Sequence, residues 1–264
     1  MSLSGKTLAG TFKDILQMDN SNSGIDTTTR VVKDGEGTES ALYLSDDVVS
    51  IRPSNDATTA LFSVRGLGGS VLLQIDDTNS KVSALGNYLN TQYADFSVGH
   101  TQSAGFAVNT HYALPFSQGI YGSVTAAELP IFGTGTDPAT TLPTANADSN
   151  RASELVPCMW YVPDAISIDS VTSIEGADTA TGDTTRMHLF SYTFTSGSTS
   201  ALTSGTLLAH NSDVTNAGSE QAYLTSWTVD SAAVTAGKVI LAFFKSDSIN
   251  SDYSVNIRIK YHLT

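Results

Sequence analysis

The stretch Asp252-Tyr253-Ser254-Val255-Asn256-Ile257-Arg258-Ile259-Lys260-Tyr261-His262 carries an apolar side chain at every second position. Successive side chains of a β-strand point to opposite faces, so these residues make a strand with one apolar face and one wet face. The run before it, Val239-Ile240-Leu241-Ala242-Phe243-Phe244, has no polar face and reads as a strand buried on both sides. A pair of this kind needs a sheet to lie in and an apolar layer to cover it.

The 264 residues suffice for one large all-β domain or two modest ones. The turn formers Ser, Thr, Gly, Asn and Asp are abundant, while charged residues make up only 15%. That mixture suits many strands joined by turns. The net charge of -13 argues against nucleic acid, since phosphate binding needs clustered Lys and Arg, and against an anionic membrane surface. Such acidity suits solubility at high ionic strength. Cys158 is the single cysteine, so no disulfide forms within the chain. Met1 to Lys6 lacks the basic and apolar regions of a signal peptide, no apolar run reaches transmembrane length, and no Asn-x-Ser/Thr sequon occurs. Assembly inside a cell, without export, is the expectation.

Leu8, Phe12, Ile15 and Leu16 are spaced for one face of a short helix over residues 4–18, with extended structure as the rival. Short β-rich pieces follow over 27–34 and 41–52, separated by Asp34-Gly35-Glu36-Gly37. Residues 61–86 read as strand, glycine turn, strand, polar turn, strand: Phe62 to Arg65, Gly66-Leu67-Gly68-Gly69, Val71 to Ile75, Asp76 to Ser80, Lys81 to Leu85. Burying a large apolar side chain contributes about 1.5–3 kcal/mol, and ordering a residue's backbone costs about 1–2 kcal/mol. Residues 1–86 hold few large apolar side chains, so this segment is expected to complete its core with copies of itself, three of them around a narrow axis.

Strands are expected over 93–98, 105–116 and 119–125, and a long surface loop over 133–150. From Pro157 onward apolar alternation is steady: 159–162, Ile166 with Ile168, Val171 with Ile174, 186–195, 206–209, 223–229, 238–245 and 253–261. Roughly eight strands at such spacing predict a two-sheet sandwich of jelly-roll type. The expected organisation is an all-β chain with an attachment segment over 1–86 and a jelly-roll head over 87–264.

Candidate chemistry is sparse. Ser4-Gly5-Lys6-Thr7 ends like a phosphate-binding loop but lacks the preceding strand and glycine. Gly66-x-Gly68-Gly69 reads as a hairpin turn, since no helix follows it. His100, His111, His188, His210 and His262 show no metal-ligand spacing, and His188 on its aromatic face reads as a hydrogen-bonded core or interface residue. Cys158 reads as a small buried side chain. Asp76-Asp77, Asp178 with Asp183, and Asp247 with Asp252 read as turn carboxylates, with calcium binding as the rival. Two carboxylates flanking a glycosidic bond leave no signature in spacing, and no Gly-x-Ser-x-Gly elbow is present. Trp160 and Trp227 read as core, and Tyr121 as the better glycan-stacking candidate. No catalytic, cofactor-binding or metal-ligating residue is assigned.

Certain runs are similar to a known family. Gly5-Lys6-Thr7, Phe12 to Gln17, Gly24-Ile25-Asp26, Val32 to Thr38 and Ala41 to Ser45 resemble the N-terminal part of fibre-like virion proteins of marine tailed phages. Asp76 to Val82 looks like a hairpin that recurs in such fibres. Thr110 to Pro115, Tyr161-Val162-Pro163 and Ile257 to Tyr261 are similar to their jelly-roll heads. The resemblance implies a non-enzymatic homotrimer on a virion surface, bound to capsid or tail proteins through residues 1–86. It leaves open a decoration or head fibre of the capsid against a receptor-binding tail fibre that takes a host surface glycan as a further partner. A polysaccharide depolymerase would need a longer solenoid than this chain has room for.

Overall fold

The computed structural model describes residues 15–18, 20–21, 23–53, 56–99, 106–116, 129–143, 152–178, 181–197, 202–218, 220–248 and 252–264. The chain divides between Leu89 and Asn90 into two compact units. The protein is all-β.

The first unit holds two four-stranded antiparallel sheets, each built in chain order. One comprises β1 (Gln17–Met18), β2 (Arg30–Lys33), β3 (Glu39–Leu44) and β4 (Val49–Ile51); the other β5 (Phe62–Arg65), β6 (Val71–Asp76), β7 (Lys81–Ala84) and β8 (Asn87–Tyr88). Of the helix expected over 4–18, residues 1–14 fall outside the described set. The described end is a strand instead, because Gln17 and Met18 pair with Lys33 and Val32 in an antiparallel ladder. The turns follow their residue chemistry. Asp34 accepts hydrogen bonds from the backbone N–H of Glu36 and Thr38, and Gly37 takes the left-handed conformation at φ 88°. The hairpin that closes the unit runs on through β8 to Leu89.

The second unit is a sandwich. Its elements are β9 (Thr91–Val98), β10 (Tyr112–Ala113), helix α1 (Ala152–Leu155) with the 3-10 turn Val156–Cys158, β11 (Trp160–Tyr161), β12 (Ile166–Asp178), β13 (Thr184–Phe194), β14 (Leu202–His210), β15 (Val214–Thr215), β16 (Glu220–Ser226), β17 (Thr228–Val229), β18 (Ala233–Val234), β19 (Lys238–Ser246) and β20 (Asp252–Leu263). Eight of these are the principal strands. One sheet runs β9-β20-β12-β16, the other β10-β19-β13-β14. Numbered along the chain, these orders are first-eighth-third-sixth and second-seventh-fourth-fifth, the jelly-roll order.

The inner faces meet in one core. Tyr253, Val255, Ile257 and Ile259 of β20 are buried there with Phe96 of β9, Val171 of β12, Leu189 of β13 and Ile240 and Phe244 of β19. A register shift between Ile168 and Ser170 explains how Ile166, Ile168 and Val171 all point inward although their spacing changes parity. The same shift turns Ile174 outward, where it is 56% exposed, so it is no core residue.

A second core lies on the outer face of the β10-β19-β13-β14 sheet. Phe190, Tyr192, Leu241 and Phe243 are covered there by Phe132, Leu142, Leu155 and Cys158. The segment expected to be a surface loop is therefore, over 133–143, partly a lid. Its Leu142 donates its N–H to the Leu202 carbonyl at 3.0 Å, and Ala139 accepts from the Tyr192 hydroxyl at 2.8 Å. Of the strand expected over 105–116, the described residues form Tyr112–Ala113 and an isolated bridge at Phe116, and the one expected over 119–125 lies outside the described residues.

Gly205 is pressed under this lid. A Cβ there would meet Tyr192 Cε1 at 2.7 Å and Thr140 Cα at 2.8 Å. Overpacking of this kind costs about 1–3 kcal/mol. Gly205→Ala is therefore expected to lower the unfolding free energy by that amount, read as a fall in the urea midpoint. An unchanged midpoint would show that the lid does not press on β14.

Candidate functional site

Three places in the second unit gather polar or aromatic side chains. The first lies at the end of the lidded core. His188 of β13 and His111, beside β10, are both buried, with ring centroids 5.0 Å apart in a T-shaped contact. His111 Nε2 is 3.1 Å from the Gly135 carbonyl, and His188 Nε2 is 3.3 Å from the Asp137 carboxylate. Among the described residues neither Nδ1 has a hydrogen-bond partner. Burial drives both rings toward the neutral form, lowering His111 to about 4 and His188 to about 3. For His188, the Arg186 and Lys245 cations and any charge taken up by the neighbouring His111 ring add to the effect, while the Asp137 carboxylate, 56% exposed, is screened by water. The pair is far apart in sequence, and no spacing rule could have found it. His188 does read as expected, buried on a face shared with Phe190 and Tyr192.

The second place is a cavity of about 140 Å³ lined by Gln92, Trp160, Pro163, Asp164 and Tyr261 among others. Trp160 stacks on Phe116 at 5.6 Å and leans on Tyr261 at 5.0 Å. The Tyr261 hydroxyl donates to Gln92 Oε1 at 2.8 Å. Small-molecule pockets usually span about 300–1,000 Å³, so this one admits a single small ring.

The third is an open depression of about 460 Å³ at one end of the β9-β20-β12-β16 sheet. Asp178, Asp252 and Glu220 sit on one rung of three neighbouring strands there. Asp178 and Asp252 therefore lie on strand ends rather than in turns. Their sequence neighbours do serve turns. Asp247 accepts from the Thr184 N–H at 2.7 Å, and Asp183 accepts from the Tyr253 hydroxyl at 3.2 Å.

The remaining candidates are structural. Gly66 and Gly69 close the β5–β6 turn, with Gly69 at φ 82°. Asp76 accepts from the Asn79 backbone and side-chain amides, which hold its carboxyl below the usual range. His210 pairs with Asp230 at 2.8 Å and His262 with Asp169 at 2.9 Å. Trp227 is buried and donates Nε1–H to Ser173 Oγ at 2.9 Å. Cys158 is buried, and burial pushes its thiol up to about 12, where it is inert. Gly5-Lys6-Thr7, His100 and Tyr121 lie outside the described residues. Among the described residues no group of three or more His, Cys, Asp or Glu side chains could hold a metal ion.

No family model matches the chain, and no curated protein matches it. Among solved structures it is similar to an aminopeptidase from a marine sediment archaeon, Thaumarchaeota archaeon, at 10% identity and a TM-score of 0.33. That likeness covers 73% of this chain and 40% of the aminopeptidase chain. At that score it carries no argument about activity.

Two buried groups give opposite pH signatures. A histidine whose folded pKa is lowered to about 3 holds its full stabilising share above the unfolded value near 6.5, and loses it as pH falls toward 3. The slope for His188 is at most about 1.4 kcal/mol per pH unit. In urea titrations His188→Phe should flatten the acid decline between pH 6 and pH 4; an unaltered decline would mean that the ring is not held neutral. Glu175 is buried between the sheets, and burial raises its carboxyl. Thr185 donates to its Oε2 at 2.8 Å, while Oε1 has no hydrogen-bond partner among the described residues. Its share of stability is present below the unfolded value near 4.5 and is lost as pH rises through the folded one. Glu175→Gln is expected to raise the melting temperature at pH 8 and to leave it unraised at pH 4. A loss at pH 8 would overturn the assignment of a buried, poorly partnered carboxylate.

Proposed function

We propose that the chain is a structural protein of a tailed-phage particle. In this reading it is a homotrimer on the virion surface, serving as capsid decoration, head fibre or short fibre. Residues 1–86 attach it to capsid or tail proteins, residues 87–264 project, and it carries out no catalysis.

The observation that carries the reading is the imbalance between the two units. In the first unit Val32 and Tyr43 are the buried apolar side chains among the described residues. Leu16, Ile25, Val49, Leu67, Leu85 and Leu89 stand 58–110% exposed. Sheets with so little cover are marginal in water. Three chains around a narrow axis would share one interior and need few apolar residues each. A regular jelly roll beside such a segment is the division of labour that fibre-like virion proteins use.

A second reading, a receptor-binding tail fibre, is favoured by the cavity between Trp160 and Tyr261, where an aromatic face sits beside Gln92 and Asp164. Aromatic stacking together with an amide and a carboxylate is the chemistry that holds a sugar ring. Binding to a glycan array that is lost in Tyr261→Ala would select it.

Sedimentation equilibrium of the full chain is expected to give a mass that is a multiple of three 27.7 kDa chains. Leu85→Asp should break that association. A mass of one or two chains would overturn the trimer. Immunolabelled electron micrographs of the particle should place the protein on its surface.

A further inference from the structure

The two sheets of the sandwich are treated differently by their own chain. The outer face of the β10-β19-β13-β14 sheet lies under Phe132, Leu142 and Leu155, whereas the outer face of the β9-β20-β12-β16 sheet leaves Leu224 at 76% and Ile174 at 56% exposed. These two are direct cross-strand neighbours, and Ile174 also faces Asn256 on β20. The row toward one end holds Ser226 and Thr172 beside the Arg258–Asp95 pair, and the row toward the other is small: Ser254, Gly176 and Ala222. Side chains this short let a second flat surface approach closely.

Charge is segregated along the strands. One end holds Glu220, Asp178 and Asp252 on a single rung around the open depression. The other end holds Lys260, opposite Ser170 and Tyr93, while Arg258, opposite Thr172, is ion-paired with the Asp95 carboxylate of β9 at 2.9 Å. Ile174 lies midway between Asp178 and Ser170 on β12, as Asn256 does between Asp252 and Lys260 on β20. A two-fold axis along the Leu224-Ile174-Asn256 row would therefore place Asp252 of one copy over Lys260 of the other, and Ser254 over Arg258. Leu224 and Ile174 would each meet their own copies. The alternative two-fold axis, along the strands, would stack carboxylates on carboxylates.

We propose that this face is an interface between two copies of the chain, stacked antiparallel, with the acidic depression of each receiving Lys260 of the other. Sheets stack about 10 Å apart with strand directions within about 30°, which this geometry satisfies. Four strands about 4.8 Å apart and rows spanning about 27 Å give a plan area on the order of 500 Å², at the lower end for a specific contact. The interface is thus a modest one, dependent on its charged ends as well as its apolar centre. It is separate from any association of the first unit, and each chain carries one copy of it.

The test uses the full chain. Cys158 is buried, so a cysteine introduced on this face supplies the reactive thiol. Asp252→Cys and Lys260→Cys chains are prepared separately, mixed, and treated with a bismaleimide spanning about 10 Å. The expected result is a cross-linked dimer from the mixture and from neither variant alone. A second variant, Leu224→Glu with Ile174→Glu, sets like charges against their own copies and should lower the mass in sedimentation equilibrium, at least by half, with unchanged circular dichroism. A fall in mass to that of the first unit's own association, one chain or three, is expected, so a failed trimer and a failed pairing are told apart. Cross-linking of Asp252→Cys to itself, no dimer in the mixture, or an unaltered mass in the double variant would each overturn the proposal. An unaltered mass is also the outcome if a different protein covers this face.

Discussion

Strand β19 imposes the constraint on which the second unit depends. Val239 to Phe244 is apolar on both faces and buried on both faces. Its even members, Ile240, Ala242 and Phe244, enter the core between the sheets, and its odd members, Val239, Leu241 and Phe243, enter the smaller core outside. A strand of this kind is stable only when each side is covered, since leaving one large side chain in water forfeits about 1.5–3 kcal/mol. The chain first extends the sheet alongside β19, where Leu114 donates its N–H to the Ala242 carbonyl and Val162 to that of Lys238. Phe132 and Leu142 then close the outside. The result is a sandwich with a third layer outside one sheet and an uncovered outer face on the other.

Among its described residues the first unit has no such strand. Its sheets are set by turns more than by burial: Asp34, Asp76 and the Gly66–Gly69 turn fix the registers. Turn chemistry specifies which residues pair but supplies little free energy for the pairing, which in antiparallel sheets comes mainly from side chains packed across strands. Local specification without a core suits a segment whose interior is completed by other chains.

Much of this was legible in the sequence because period and face are local properties. The alternation in β20 and the unbroken run in β19 gave two strands and their burial directly, and the glycine turn after Arg65 gave a hairpin. What escaped depends on contacts between distant segments. Residues 133–143 carry the turn formers of a surface loop, yet Phe132 and Leu142 at its ends are drawn under by Tyr192 and Phe243. His111 and His188 meet only because β10 and β13 flank β19. Asp178 and Asp252 looked like turn carboxylates because each borders a turn, while their strands place them on one rung. The candidate sites had no motif to announce them, since each is assembled from single residues on separate strands.

The least local of these features has a local cause. The register shift after Ile168 reverses the parity of β12, and from Val171 onward the odd residues face inward. Ser173 and Glu175 are buried by it, and Ile174 is put into water. Both changes are unfavourable: an exposed Ile gives up its burial energy, and a buried carboxyl must be desolvated. The irregularity is nonetheless held in place. Asp169, the residue at the shift, accepts a hydrogen bond from His262 Nδ1 at 2.9 Å. A strand that breaks the inside–outside rule at two adjacent positions, and ties the break down with an Asp–His pair, departs from what folding alone rewards. The compensation that the isolated chain lacks is cover for Ile174 and its neighbour Leu224, and a surface laid on that face is what would supply it.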